Sequence, residues 1–253
     1  MIEHRITHHY QPTNTTCSQS AMAMLLSFFG RDVSPEEIVA AVPVIKNDEG
    51  EDWGTINQNL ASWSITQGFE VDMYTADFQV IDLSWVDLPK AQLLERMELA
   101  KLRRDIPALG KDWSKIYMQS YIDFVNAGGR LFIRPYMTTG LIDSLLPDSP
   151  LLTCVCYNVL YGVGRSQSVE LRKSESDDLS GKLANHSILI YGKDDSDNYL
   201  VADPWEEPGA HVVEPERLLA AMTAAQMECD NLLFQLKPRD GTIDSIDSGA
   251  LIV

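Results

Sequence analysis

Gln11-Pro-Thr-Asn-Thr-Thr-Cys17-Ser-Gln-Ser-Ala21-Met-Ala-Met-Leu25-Leu-Ser-Phe-Phe-Gly30 is the stretch on which the fold and the chemistry turn. Thr15 and Thr16 are capping residue types, and the apolar run Ala21, Met22, Met24, Leu25, Leu26, Phe28, Phe29 continues until Gly30 supplies a stop. The pattern predicts a helix buried on almost every side, with Cys17 in its first turn. There the positive helix end favours a thiolate, and the residue's own N–H has no partner inside the helix. One turn would then supply both a nucleophile and a donor to an oxyanion. The competing reading is a small buried hydrophobe beside Met22 and Leu25, and partner residues elsewhere in the chain must decide between the two.

His186-Ser-Ile-Leu-Ile-Tyr-Gly192 and Tyr199-Leu-Val-Ala-Asp203 read as two strands around an Asp-Asp-Ser-Asp-Asn turn. If Ile188 faces Val201 and Ile190 faces Tyr199, His186 lies directly opposite Asp203, with Cβ atoms about 5 Å apart. Asp203 would then orient His186, whereas a slip of one residue would separate them. Two polar groups ending an apolar face need a partner or a function; the bland alternative is a His and an Asp that only satisfy each other. Gln11, on the segment entering the helix, is placed to give a second oxyanion donor, with Gln19 as its rival. Trp205, two residues after Asp203, could shield the His–Asp hydrogen bond from water.

The remaining pattern is mixed. Ser34-Pro35-Glu36-Glu37 has capping-box order and predicts a helix from Pro35 to about Ala41; another runs from about Thr55 to Gln67. Phe69 to Tyr74 and Arg130 to Arg134 read as strands, and helices over Leu88 to Arg104 and Trp113 to Asn126 make 85–129 a helical insertion. Leu151 to Tyr157 is continuously apolar, as a central strand covered on both faces would be. Polar Arg172 to Lys182 reads as a loop. A helix near Pro215 to Met227 and a strand near Asn231 to Leu236 complete a single domain over 1–237, followed by a tail at 238–253.

The chain has 253 residues, 45% of them hydrophobic, enough for one large core. Its 20 Lys plus Arg against 37 Asp plus Glu give a net charge of -17, which repels nucleic acid and anionic membranes. The N-terminus lacks an apolar signal core and no apolar run is long enough to span a bilayer, so a cytoplasmic protein without membrane association is expected. Cys17, Cys154, Cys156 and Cys229 lack the spacing of a disulfide scaffold or zinc site. The clustered His4, His8 and His9, and His211 further on, do not make a supported metal set, Leu200 stands where a calcium loop from Asp195 would need Gly, and Gly162-Val-Gly164 is not followed by a phosphate-binding Lys-Ser/Thr. No cofactor or metal is therefore expected.

The segment Gln11 to Leu25, together with Asn185-His186-Ser-Ile-Leu-Ile-Tyr-Gly-Lys-Asp-Asp and Tyr199-Leu-Val-Ala-Asp203-Pro-Trp205, resembles the bacteriocin-processing, double-glycine leader peptidase-like family of papain-like cysteine peptidases. The resemblance implies an α+β, papain-like fold, an N-terminal helical part packed on a C-terminal antiparallel sheet. It also implies Cys17 as nucleophile, His186 as general base and acid, Asp203 as orienter and Gln11 in the oxyanion hole. It covers about the first seventy residues and Leu151 to Leu236. Where that family commonly has Gly-Pro after the cysteine, this chain has Ser18-Gln19. The expected activity is hydrolysis of a peptide or amide bond through a thioester; acyl transfer to an amine by the same residues, and non-catalytic peptide binding on the same fold, are the alternatives. Specificity is expected from the insertion and the Arg172 to Lys182 loop. An acidic cleft would favour a basic substrate, although total charge does not locate the acid. The chain specifies no oligomeric state.

Overall fold

A computed structural model describes residues 1–46, 50, 52–103, 111–170, 173–206, 211–228 and 230–239. After a short strand β1 (Ile2–Glu3), the opening stretch forms helix α1 (Cys17–Phe28), and Ala21 through Leu26 are buried without interruption. Thr16 holds the N-cap position but does not cap. Its hydroxyl donates to the Thr13 carbonyl at 3.2 Å and accepts the Thr13 N–H at 3.0 Å, so it gives the first-turn N–H groups no side-chain cap. Helix α2 (Pro35–Ala41) has its full capping box: Ser34 Oγ accepts the Glu37 N–H, and the Glu37 carboxylate accepts the Ser34 N–H at 2.8 Å. A ribbon of β2 (Ile45–Lys46) and β3 (Asp52–Gly54) leads into α3 (Asn57–Thr66) and β4 (Phe69–Thr75).

Helices α4 (Lys90–Arg103) and α5 (Lys111–Asn126) occupy the segment expected as an insertion, and they connect β4 to β5 (Arg130–Ile133). Those strands are parallel, from Asp72↔Arg130 to Thr75↔Ile133, and parallel neighbours require such a crossover. Met97, Tyr117, Tyr121 and Phe124 from the crossover are buried in the larger core, so the pair is a structural layer of the fold. Phe124 also sets Gly129: a Cβ there would meet its ring at 2.2 Å.

The second half supplies α6 (Thr139–Leu145), β6 (Leu151–Cys156), α7 (Tyr157–Tyr161), a hairpin of β7 (Ser166–Glu170) and β8 (Lys173–Ser176), then β9 (Asn185–Lys193), β10 (Tyr199–Ala202), β11 (His211–Val213), α8 (Pro215–Ala224) and β12 (Leu232–Pro238). The polar stretch read as a loop is thus partly strand, because antiparallel pairing of β7 and β8 satisfies its backbone without burying a face. Arg172 lies outside the described residues. At the start of the expected tail, Pro238 pairs with Phe69, and the Arg239 N–H donates to the Gly68 carbonyl at 3.0 Å. Residues 240–253 lie outside the described residues.

The main sheet runs β11-β10-β9-β6-β12-β4-β5, with β1 also on β9. It corrects the expected segregation of helices and antiparallel sheet. The sheet is mixed, and β4 from the first half lies inside it, because its side chains are buried on both faces and need neighbours on both sides. Strand β6 behaves as its apolar run predicts. Leu152 and Cys154 enter a core shared with α1, α3 and α5, whereas Leu151 and Val155 enter a second core with α6 and α8. The β9–β10 register is also corrected. Val201 pairs with Ile190 and Ala202 with Leu189, past an irregularity at Leu200/Val201, two residues away from the expected pairing. Past the irregularity the shift of two keeps Val201 on the face of Ile188 and Ile190, whereas Tyr199 pairs with Lys193, three residues from its expected partner; all four enter one core. Among the described residues no helix is long and apolar enough to cross a membrane.

Candidate active site

Cys17 opens α1 and His186 is the second residue of β9, the strand against which α1 packs. The imidazole Nε2 lies 2.6 Å from Asp203 Oδ1, and the ring lines the same cleft as the Cys17 thiol, whose ionisation it favours. Asp203 is wholly buried and lies just past the end of β10. Its Oδ1 also accepts the Trp205 N–H at 2.8 Å, and its Oδ2 accepts the Tyr161 hydroxyl at 2.6 Å. Three donors thus fix one carboxylate, which in turn holds the ring.

The electrostatics follow from this geometry. Burial of the Asp203 carboxyl favours its neutral form, but the charge and hydrogen bond of His186, with Tyr161 and Trp205, outweigh it and bring the pKa down to about 2. Burial likewise opposes a charged imidazole, yet Asp203 and then Cys17 raise His186 to about 10. For Cys17, burial opposes the thiolate, but His186 and the Ser187 N–H and hydroxyl prevail, and the thiol falls below its ordinary value. The arrangement favours a thiolate–imidazolium pair. Cys154, hydrogen-bonded to Ser187 Oγ at 3.4 Å, goes the opposite way: burial and the Asp230 charge hold its thiol well above the ordinary range. Of these two neighbouring cysteines only Cys17 is poised to ionise.

Gln11 is buried on the turn before α1, and its backbone N–H donates to the Pro204 carbonyl at 2.9 Å, which ties that turn to the Asp203 segment. Its side-chain Nε2 donates to the Thr13 carbonyl at 2.6 Å, and Gln11 is not among the residues lining the cleft that Cys17 and His186 share. Gln19 is committed elsewhere: its amide nitrogen donates to the Val42 carbonyl at 2.9 Å and to Thr55 Oγ1 at 2.7 Å, pinning α1 to the segments around α2 and α3. The structure therefore brings Cys17, His186 and Asp203 together, while the Gln11 amide is turned to the Thr13 carbonyl and does not line their cleft.

Several site residues have no signal in the sequence. Tyr157 stands edge-on against the His186 ring at 5.6 Å, with its hydroxyl donating to Glu206 Oε1 at 2.5 Å, and Tyr161 packs beside it at 4.6 Å. These two tyrosines cover the His–Asp pair from α7, a helix too short to show a period; Trp205 reaches Asp203 through its backbone. The N-terminal histidines are built into the fold: His8 Nε2 donates to the Asp203 carbonyl at 2.9 Å and His4 Nε2 to the Leu146 carbonyl at 2.6 Å. Among the described residues no three His, Cys, Asp or Glu side chains form a group that could hold a metal.

The cleft thus sets a cysteine at a helix start beside a histidine on a strand, whose ring is held by an aspartate just past the next strand. The chain belongs to the Peptidase_C39 like family, whose model matches residues 3–222, and this membership supports cysteine peptidase activity on peptide substrates. Among solved structures it is similar to one titled as a "putative C39-like peptidase from Bacillus anthracis", at 9% identity and a TM-score of 0.47, over 94% of this chain and 97% of that one. No curated protein matches the chain.

Proposed function

We propose that the protein is a papain-like cysteine hydrolase that cleaves a peptide or amide bond through a Cys17 thioester. The observation that carries the reading is the His186 ring, held by Asp203 at 2.6 Å and lining one cleft with Cys17, whose thiol it brings below the ordinary pKa. The Cys17 thiolate attacks the scissile carbonyl carbon, a C–S bond forms, and the carbonyl electrons move onto oxygen. The Cys17 N–H, in the uncapped first turn, is the first proposed donor to that oxyanion, and Gln11 is the second, its amide turning from the Thr13 carbonyl to reach it. The imidazolium of His186 gives its proton to the leaving amine as the C–N bond breaks. Neutral His186 then takes a proton from water, which attacks the thioester; the C–S bond breaks and the thiolate–imidazolium pair returns. Asp203 keeps the ring oriented and stabilises its charge throughout.

The acceptor is tested directly. Incubation with peptide and amide libraries, read by mass spectrometry, should give carboxylic acid products and a transient acyl adduct on Cys17, and Cys17→Ala should give neither. Products appearing only as new amides after addition of an amine would make the protein an acyltransferase; no turnover and no adduct with any substrate would leave a binding protein on the same fold.

A further inference from the structure

The β2–β3 ribbon supplies one wall of the cleft, and a single side chain of α1 holds both of its feet. Ile45, Trp53 and Gly54 of the ribbon, with Thr55 just after it, line the cleft that Cys17 and His186 share. Lys46 and Asp52 do not line it; they are exposed and pair with each other at 2.8 Å, as the period of two requires. Two short strands with an irregular register at Ile45/Lys46 do not hold a position by themselves, and an exposed ion pair adds little. The feet are fixed instead by Gln19, wholly buried in α1 two residues after Cys17. Its amide nitrogen gives one hydrogen to the Val42 carbonyl at 2.9 Å, before the ribbon, and the other to Thr55 Oγ1 at 2.7 Å, after it. A flipped amide would set oxygen against the Val42 carbonyl, so these partners fix its orientation. Between the feet, Ile45 and Trp53 rest half-buried on the larger core, and Trp53 meets Trp113 edge-on at 5.0 Å.

Resting on the hydrolase reading, we infer that Gln19 is a positioning residue for the substrate: by holding both feet of the ribbon it sets the gap between Cys17 and the Ile45–Trp53 wall, against which an apolar side chain next to the scissile carbonyl lies. The cleft holds about 80 Å³, room for one aliphatic side chain, so whatever touches the wall is adjacent to the bond under attack. Gln19 is not in the lining and reaches the substrate only through the wall. Without its amide the Val42 carbonyl and the Thr55 hydroxyl lose this donor, the ribbon is no longer tied to the turn that carries the nucleophile, and an aliphatic side chain loses close contact with the displaced wall.

The test separates recognition from chemistry with two reagents on the full-length protein, N-acetyl-leucine chloromethyl ketone and its glycine counterpart. In each, the Cys17 thiolate displaces chloride and forms a thioether; the half-saturating concentration reports recognition and the maximal rate reports the chemical step. The leucine reagent should half-saturate at about tenfold lower concentration, and Trp53→Ala should remove most of that preference. Gln19→Met keeps the volume and removes both hydrogen bonds. It should raise the half-saturating concentration of the leucine reagent about fivefold or more, while its maximal rate and iodoacetamide labelling of Cys17 stay nearly unchanged. A merely structural role would lower the melting temperature and leave half-saturation of the folded variant where it was. Should Gln19→Met fail to fold by circular dichroism, Thr55→Val, which removes one foot of the staple and keeps the side chain's shape, should move half-saturation in the same direction. No saturation, equal half-saturation by the two reagents, a preference that survives Trp53→Ala, or staple variants that leave it unmoved would overturn the inference. The hydrolase reading is judged apart, by turnover of the wild type: leucine-selective inactivation without any carboxylic acid product would keep the wall and discard the hydrolase, and acid products without leucine preference would do the reverse.

Discussion

Asp203 Oδ1 accepts from His186 Nε2 at 2.6 Å while the opposite oxygen of the same carboxylate accepts from Tyr161 at 2.6 Å, so one wholly buried acid is clamped between the imidazole and α7. The clamp decides the ring's orientation and much of its charge. Removing the acid should therefore do more than remove a hydrogen bond. Asp203→Asn keeps the volume but neither favours the imidazolium nor enforces the tautomer, and kcat/KM should fall by about a hundredfold or more. The alkaline limb of the rate–pH profile should move to lower pH, because Asp203 is what raises His186 to about 10.

Cys17 should react as a thiolate below the ordinary thiol range. Iodoacetamide, followed by peptide mapping, should label Cys17 at pH 6 to 7 while Cys154 stays unmodified, its thiol being held high by burial and Asp230. His186→Ala should slow labelling at that pH by about one to two orders of magnitude, since a free thiol is only sparsely ionised there. Labelling that ignores His186 and needs alkaline pH would refute the ion pair.

Stability should depend on pH with a definite sign. Despite burial, His186 is raised from 6.5 to about 10, so its contribution is complete below pH 6.5 and is lost as the pH climbs through about 10. Asp203, also against its burial, is lowered from 3.8 to about 2, so its contribution is present above pH 3.8 and is lost as the pH falls through about 2. Urea denaturation of wild type and Asp203→Asn should show the largest gap between pH 3.8 and 6.5 and a narrowing gap on either side.

Tyr161→Phe removes one donor from a buried charge and leaves the His–Asp contact in place. The expected loss is about 2 kcal/mol in urea denaturation at neutral pH, with catalysis reduced less than by Asp203→Asn. Asp203 should then titrate closer to the ordinary carboxyl range, visible as an acid unfolding midpoint shifted to higher pH.

The two glutamines should separate by phenotype. Gln19→Ala leaves the Val42 carbonyl and Thr55 Oγ1 without their donor and opens space in a packed region, so it should lower stability by about 2–4 kcal/mol. Gln11→Ala should lower kcat by about a hundredfold for amide substrates and leave iodoacetamide alkylation of Cys17 nearly unchanged, because alkylation develops no oxyanion. An equal loss in both reactions would remove Gln11 from the oxyanion hole.

The elements were largely legible because their signals are local. The apolar run after Cys17 has no polar face to leave in water, Ser34-Pro35-Glu36-Glu37 carries its cap in four residues, and Leu151 to Cys156 is apolar at every position but Thr153, as a strand covered on both sides must be. What lay between elements was harder to read. Residues 139–145 and 157–161 form helices of two turns or fewer, too short for a period to emerge, and the two crossover helices gave no hint that they join parallel neighbours.

For the site, the sequence by itself determined the chemical parts: a cysteine at a helix start, a histidine near a strand start and an aspartate at a strand end, each placed by local pattern. Only the tertiary structure decided how they meet. From Val201 on, the strands are displaced two residues from the simplest pairing, so His186 and Asp203 come together through the turn after Ala202 rather than across a ladder, and there the even displacement preserves the faces while changing the partners. Tyr157 and Tyr161, Ser187, and Asp230 enter the site from three separate segments, and no spacing announces them because their common purpose, to set charge in a buried place, exists only once the chain has excluded water around it.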